Sequence, residues 1–209
     1  MMKVKVCGMR EAGNIKEVAA SGIDYMGFIF YPKSPRYCGY TLTPEDIATL
    51  PAGIVPVAVT VNASEEEIED IARRLGIYTF QLHGSESPEL CARLREKGYK
   101  IFKAFGIRED EDFSRMLPYV DVTDLFIFDT SSARHGGTGR KFDWSLLKKY
   151  RLPQRFLLSG GIGPEDAGEI NNFLHPCFAG IDLNSKFETE PGLKDAGLLE
   201  TFLHKLSRI

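Results

Sequence analysis

Two side chains in this sequence have the chemistry of a general base and a general acid. Cys7 ends the segment 3–7, in which apolar residues alternate with lysines, and Asp129 follows four apolar residues at 125–128. An apolar run this short predicts a strand that is buried on both faces. A thiol and a carboxyl at strand ends can face each other across a substrate and exchange protons with it.

The same two residues also have purely structural interpretations. Free cysteine is among the most buried residue types, so Cys7 could simply pack in the core. Asp129 could cap a helix or stabilise a turn. The polar residues at the other predicted strand ends are therefore needed to decide between catalysis and packing.

Glycine pairs and a hydroxyl predict a binding site for an anion. Gly160 and Gly161 follow the apolar strand at 156–159, and Asn184 and Ser185 follow the strand at 178–183. Glycines let an anion approach the backbone N–H groups closely, and Ser185 adds a hydroxyl donor. A second glycine-rich loop, 136–139, lies after Asp129. Each of these loops is also typical of an ordinary turn.

Three further polar residues follow predicted strands. Arg36 lies in the loop after the strand at 25–30, and its guanidinium can bind a carboxylate through two parallel hydrogen bonds or can be a solvated surface charge. Gln81 and His83 end the strand at 78–82. They can bind a ligand or make hydrogen bonds within the rim.

These positions lie in a series of about eight strand–helix units, and no Pro-, Gly- or Ser-rich linker separates the units. The predicted strands are 3–7, 25–30, 55–61, 78–82, 100–105, 125–128, 156–159 and 178–183; the helices are 11–20, from 43, 64–75, 87–98, 109–117, from 143, and 193–206. This pattern predicts an α/β fold, a (β/α)₈ TIM barrel, with residues 1–209 as a single domain. A doubly wound sheet is the competing architecture. In the barrel all strand ends meet at one rim, and phosphate commonly binds after strands seven and eight.

Composition narrows the classes of partner. The 209 residues carry a net charge of −3, which gives no reason to expect nucleic acid or an anionic membrane. No apolar run is long enough to span a bilayer and no signal peptide is evident, so a soluble cytoplasmic protein is expected. Four scattered cysteines and four histidines form no disulfide framework or zinc motif, and no nucleotide fingerprint is present. Neither metal nor cofactor is expected.

Taken together, these segments resemble the phosphoribosylanthranilate isomerase family. The matching segments span almost the whole chain in order: Lys5-Val6-Cys7-Gly8, Gly27-Phe28-Ile29-Phe30, Ser34-Pro35-Arg36, Gln81-Leu82-His83-Gly84, Asp129 with Gly136-Gly137-Thr138-Gly139, Phe142-Asp143-Trp144, and Leu158-Ser159-Gly160-Gly161-Ile162. No single segment is specific, but their combination is.

The resemblance implies a reaction and a role for each residue. The reaction is an Amadori rearrangement of N-(5-phosphoribosyl)anthranilate to 1-(2-carboxyphenylamino)-1-deoxyribulose 5-phosphate, without metal or cofactor. Asp129 would protonate the ribose ring oxygen, and Cys7, as thiolate, would take the proton from C2. Arg36 would pair with the anthranilate carboxylate, and the Gly160-Gly161 and Asn184-Ser185 loops would hold the phosphate. The partner is thus a small phosphosugar-anthranilate substrate, and the protein is expected to be a monomer or a homodimer.

One departure affects the phosphate loop. The family usually has a Ser-Ser-Gly-Val-Glu type of loop after strand eight, whereas this chain has Lys186 in place of the glycine. If that glycine has a positive φ, Lys186 is strained or the loop takes another course.

Three other functions remain as alternatives. A pentose-phosphate epimerase would need metal-ligating His and Asp residues at several strand ends, which are not seen. An indoleglycerol phosphate synthase would need catalytic lysines; Lys5 shares a strand face with Cys7 and is the one to test. A non-catalytic barrel that senses a phosphorylated metabolite would keep the glycine loops without needing Cys7 opposite Asp129.

Overall fold

The computed structural model describes residues 2–108, 113–130 and 142–207. Eight parallel strands pair in chain order and close into a barrel, because β1 pairs with both β2 and β8. The strands are β1 (Lys3–Cys7), β2 (Tyr25–Ile29), β3 (Val55–Thr60), β4 (Thr79–Leu82), β5 (Lys100–Ile107), β6 (Leu125–Thr130), β7 (Phe156–Leu158) and β8 (Phe178–Leu183). The predicted (β/α)₈ architecture is confirmed, and closure of the sheet excludes the doubly wound alternative.

Helices connect these strands. They are α1 (Ala12–Ala19), α2 (Pro44–Ala48), α3 (Glu65–Leu75), α4 (Pro88–Glu96), α5 (Ala167–Asn171) and α6 (Ala196–His204). The start and end of α3 follow directly from sequence. Ser64 Oγ accepts the N–H of Glu67 at 3.2 Å, the Glu67 carboxylate accepts the N–H of Ser64 at 2.7 Å, and Gly76 ends the helix with a φ of +68°.

Two predicted helices are wrong in type. The helix predicted at 109–117 is a 3₁₀ helix over Phe113–Tyr119, and residues 109–112 lie outside the described residues. Pro118 lies in this segment and has no N–H with which to close an α-helical turn. The helix predicted from Asp143 is a six-residue 3₁₀ helix, Trp144–Lys149, and such short segments are typical of 3₁₀ geometry.

The last predicted helix begins three residues too early. Leu193–Lys194 forms β10, which pairs antiparallel with β9 (Glu188–Glu190), and α6 begins only at Ala196. Asp195 caps that helix because its carboxylate accepts the N–H of Leu198 at 2.9 Å. This hairpin holds two charged residues of the site described below.

Alternation along the strands divides each one between two environments. Val4 and Val6 of β1 pack in the larger core beneath the helices, whereas Leu125 and Ile127 of β6 belong to a smaller cluster with Leu157 inside the barrel. Because alternate residues share a face, Asp129 continues the inward row of Leu125 and Ile127. By the same rule, the inward residue nearest the carboxyl end of each strand lies at the rim where the strands end.

Candidate active site

A cavity of about 830 Å³ opens at the carboxyl ends of the strands. All of the sequence-predicted site residues line it: Cys7, Arg36, Gln81, His83, Asp129, Gly160, Gly161, Asn184 and Ser185. Asp182 and Ser159 line it as well, together with apolar side chains such as Ile29 and Val59. The thiol and the carboxyl of the acid–base pair therefore lie in one cavity, although 122 positions of sequence numbering separate them.

Asp129 is held in a defined orientation at the end of β6. Its Oδ1 accepts the backbone N–H of Thr130 at 2.7 Å, and its Oδ2 lies 3.3 Å from Nε2 of His83. Gly160 packs directly against it, since a Cβ on Gly160 would lie 2.4 Å from Oδ1. The Asp129 side chain remains about 18% exposed, so its proton can exchange with solvent.

Gln81 orients the imidazole that contacts Asp129. The two side chains share the inward face of β4 and its extension, and Gln81 Nε2 lies 3.2 Å from His83 Nδ1. With the amide donating to Nδ1, the imidazole carries its proton on Nε2 and directs it at Asp129. Oε1 of Gln81 is buried and has no hydrogen-bond partner among the described residues. His83 thus contacts the candidate acid directly, Gln81 contacts it through His83, and both residues line the cavity.

Cys7 lies deeper in the site than Asp129. It is 4% exposed, and burial raises the pKa of the Cys7 thiol above its usual value, while the Lys5 ammonium opposes that shift. In the unliganded protein Cys7 is therefore a thiol at neutral pH, not the thiolate implied by the family resemblance.

A buried ion pair lies directly beneath this thiol. The Nζ of Lys5 donates to both carboxylate oxygens of Asp182, each at 2.9 Å, and the Lys5 side chain is inaccessible to solvent. Asp182 was missed by the sequence analysis, which gave Lys5 only as a residue to test. The spacing of two residues between Lys5 and Cys7 was the signal that Lys5 shares a strand face with Cys7. No local sequence pattern marks Asp182.

Arg36 is held by a carboxylate from the other end of the chain. Its Nε and Nη2 donate to Glu188 at 2.9 and 2.7 Å, and Lys194 also donates to Glu188 and to Asn184 Oδ1. Burial raises the pKa of Glu188, but Arg36 and Lys194 lower it more, so the net shift is downward. Glu188 and Lys194, which hold residues that line the cavity, were not selected by the sequence analysis.

The loops after β7 and β8 form the end of the cavity predicted for phosphate. Gly160 and Gly161 have φ of +81° and +71°, a conformation that strongly favours glycine. Asn184 has φ −148° and ψ −105°, and Lys186, whose side chain is exposed, follows within the 3₁₀ turn Ser185–Phe187. Lys186 does not have the positive φ that would strain it, because Asn62 alone among described non-glycine residues has one. The predicted loop 136–139 lies outside the described residues.

The remaining cysteines do not line this cavity. Burial raises the pKa of Cys38 to about 12 and that of Cys91 to about 11, and Cys177 is partly exposed directly before β8. Their structural interpretation is consistent with these positions.

Comparison with known proteins now adds to this geometry. Residues 4–205 match the family described as N-(5'-phosphoribosyl)anthranilate (PRA) isomerase. The chain belongs to the PRA isomerase family. A relative from Parabacteroides distasonis, named N-(5'-phosphoribosyl)anthranilate isomerase, is 49% identical over 207 residues, covering 98% of this chain and 93% of the relative.

Solved structures give the same family. A PRA isomerase in complex with reduced 1-(o-carboxyphenylamino)-1-deoxyribulose 5-phosphate has a TM-score of 0.83 and 33% identity, with all of both chains covered. Monomers generated from the dimeric PRA isomerase of Thermotoga maritima have a TM-score of 0.82 and 32% identity, again with full coverage of both. The activity of this chain is therefore isomerisation of N-(5'-phosphoribosyl)anthranilate in tryptophan biosynthesis, as the resemblance implied.

Two further findings concern only the described residues. Within residues 2–108, 113–130 and 142–207, no group of three or more His, Cys, Asp or Glu side chains is arranged to hold a metal ion. In that same part of the chain, no helix combines the length and apolar character needed to cross a membrane. That the reaction needs neither metal nor cofactor stays a prediction.

Proposed function

We propose that this cavity carries out the Amadori rearrangement with Asp129 as general acid and Cys7 as general base. The observation that supports this assignment is their shared cavity: the carboxyl lies at the exposed rim beside His83, and the thiol lies at the buried floor beside Lys5. A substrate bound between them has an acid on one side and a base on the other.

In the first step Asp129 donates its proton to the ribose ring oxygen. The C1–O bond breaks, the anthranilate nitrogen supplies its electron pair, and a cationic Schiff base forms at C1. The hydrogen bond from Thr130 and the contact with His83 hold the Asp129 carboxyl in one orientation during this transfer. Since Asp129 is partly exposed, solvent can return its proton after turnover.

In the second step Cys7 takes the proton from C2. The Schiff base acidifies that C–H bond, and the electron pair moves to form a C1–C2 double bond while the nitrogen becomes neutral. The resulting enaminol gives the ketose when C1 gains a proton and the C2 hydroxyl loses one. Before this step Cys7 loses its thiol proton to solvent, because the cation formed in the first step lies in the same cavity and favours the thiolate; taking the C2 proton makes it a thiol again.

Charged and backbone groups hold the two ends of the substrate. Arg36 binds the anthranilate carboxylate, with Glu188 fixing the plane of its guanidinium. Gly160, Gly161 and Ser185 bind the phosphate, because their loops meet at one end of the cavity and the glycines leave the backbone accessible. The Asn184 side chain is bound to Lys194, so it contributes to substrate binding chiefly by shaping its loop.

The acid and the base are tested by two substitutions. We expect Cys7→Ala and Asp129→Asn each to lower kcat by at least ~10²-fold, the range that positioned acid–base groups contribute. Loss of the fluorescent substrate is followed with EDTA present, and circular dichroism verifies the fold. As a control, Cys177→Ala removes a thiol outside the cavity and should leave kcat unchanged. Near-wild-type turnover by either site variant would refute the role given to that residue.

For the oligomeric state of the protein we propose two alternatives. One neighbouring structure derives from a dimeric enzyme whose monomers were also obtained. We propose that residues 1–209 form one domain that works as a monomer or a homodimer, because the cavity is complete within one closed ring of strands. Sedimentation equilibrium across a concentration series distinguishes the two states.

A further inference from the structure

We propose that Lys5 is a positioning residue for this reaction: held by Asp182, its ammonium orients the Cys7 side chain and supplies the countercharge of the thiolate. The inference rests on the proposed function, in which Cys7 is the base. It assigns a purpose to a buried lysine that the binding of substrate does not explain.

The geometry begins with the strand. Lys5 and Cys7 are two residues apart on β1, so their side chains share the inward face. The Lys5 ammonium and the Cys7 side chain are near enough to interact electrostatically. On the other side of β1, the register pairs Lys5 with Asp182 of β8, which explains why its Nζ reaches both carboxylate oxygens.

A glycine confines the thiol from the opposite direction. Cys7 is in register with Gly27 of β2, and a Cβ on Gly27 would lie 2.8 Å from the Cys7 sulfur. The sulfur therefore packs against bare backbone on the β2 side, with the Lys5 ammonium on the same inward row of β1. Its freedom to move away from that ammonium is small.

Stability is a weak reason for the ion pair. A buried ion pair is often no more stabilising than apolar side chains of similar volume, and the barrel interior also holds an apolar cluster that includes Leu125, Ile127 and Leu157. A thiolate formed at a buried position, in contrast, needs an opposite charge that does not leave with the product. Lys5 is such a charge: burial lowers its pKa, but Asp182 and Cys7 raise it to a net upward shift, so it keeps its proton and is not itself the base.

Other charged groups around Cys7 also influence how readily its thiol ionises. Asp182 on β8 disfavours the thiolate, Lys194 on β10 favours it, and Cys38, in the segment after β2, disfavours it when ionised. Lys5 makes the largest charge contribution in favour of the thiolate. Removing Lys5 should therefore raise the pH at which Cys7 ionises.

The experiment measures that pH directly. Variants Lys5→Gln, Asp182→Asn and Lys5→Gln/Asp182→Asn are alkylated with iodoacetamide across an alkaline pH series, and Cys7 is quantified by peptide mass spectrometry with Cys177 as internal reference. The double variant removes the carboxylate that Lys5→Gln leaves unpaired, and it differs from Asp182→Asn only at position 5, so this pair tests Lys5 even where Lys5→Gln alone does not fold. We expect the Cys7 midpoint to rise by roughly one unit or more from wild type to Lys5→Gln, and to rise from Asp182→Asn to the double variant, as for loss of a nearby opposite charge.

A buried lysine elsewhere serves as matched control. Lys103 on β5 is 2% exposed and lies 3.2 Å from Glu86, so Lys103→Gln removes a comparable buried charge away from Cys7. It should lower stability without moving the Cys7 midpoint. An unchanged or lower midpoint in Lys5→Gln relative to wild type, or in the double variant relative to Asp182→Asn, would overturn the proposal.

A second readout separates this proposal from the function on which it rests. The acid limb of the kcat–pH profile should rise with the alkylation midpoint in the Lys5 variants. A raised alkylation midpoint with an unchanged kcat–pH profile would also overturn the role of Lys5. The Lys5 charge would then act on a thiol that the reaction does not use in the proposed way. Failure of the base assignment itself appears separately, as full activity of Cys7→Ala.

Discussion

Cys7 and Asp129 share a cavity but differ in their contact with water. The thiol is 4% exposed, whereas the Asp129 side chain is about 18% exposed and touches His83. A group open to solvent regains its proton readily, which suits an acid that must be reset in each cycle. A shielded thiol ionises only when a nearby cation favours it, which suits a base used after the Schiff base has formed.

This difference predicts two separate pH profiles. Burial raises the pKa of Cys7 in the unliganded protein, and the cationic Schiff base lowers it in the complex. Because kcat/KM reports groups of the free enzyme and kcat those of the complex, the acid limb of kcat/KM should lie at higher pH than that of kcat. Steady-state rates between pH 5.5 and 10 test this. Coincident limbs, or the reverse order, would contradict it.

Single residues were predicted well where a strand end marked them. Every sequence-selected side chain lines the cavity, since a strand position plus a period of two determines which rim it reaches. Asp182, Glu188 and Lys194 were not selected because their importance lies in partners 177, 152 and 6 positions away. No local pattern encodes such pairing.

Among the elements, the turn after β7 connects the phosphate end to the acid. Gly160 has a φ of +81°, and an added Cβ would meet Asp129 Oδ1 at 2.4 Å and the backbone nitrogen of Thr130 at 2.5 Å. One backbone position thus serves both the anion loop and the carboxyl.

The variant Gly160→Ala tests this connection. Strain of about 1–2 kcal/mol from the left-handed backbone and the clash with Asp129 should raise KM and lower kcat together, with kcat/KM reduced at least ~10-fold. Gly168→Ala on α5 is the matched control, because its added Cβ meets no atom within 4 Å. If only KM changed in Gly160→Ala, the contact with Asp129 would have no catalytic consequence.

Elements whose signals are local were predicted to the residue, and those that depend on distant pairing were not. The capping box at Ser64 and the stop at Gly76 define α3 in both sequence and structure. Strand β10 was interpreted as the start of a helix and β9 was not predicted, since the two strands are two and three residues long and too short for alternation to show.

At the scale of the whole molecule, a buried side-chain amide connects the first helix to a strand near the other end of the chain. Asn14 on α1 accepts the backbone N–H of Lys194 at 2.7 Å and donates to its carbonyl at 2.8 Å, across 180 positions of sequence. Asn14 is 4% exposed. It fixes β10, and with it the lysine that binds Glu188, to the first helix of the barrel.

Replacing the Asn14 side chain should lower the stability of the protein. In Asn14→Ala two buried backbone groups lose their partners, so the free energy of unfolding should fall by about 2–4 kcal/mol in urea titrations followed by circular dichroism. Asn171→Ala is the matched control: Asn171 also joins a helix to backbone groups, of Lys205 and Ser207, but it is exposed, and water replaces its bonds. A control loss as large as that of Asn14→Ala would show that burial is not the cause.

The contact between Lys5 and Asp182 gives the order of synthesis a consequence. A ribosome makes the lysine 177 residues before its counterion, which lies in the final strand of the ring. A nascent chain that carries only the first seven strands therefore has the sulfur of the proposed base but not the carboxylate that holds the neighbouring lysine. With Lys5 as the positioning residue, the base is fully assembled only when the eighth strand closes the ring.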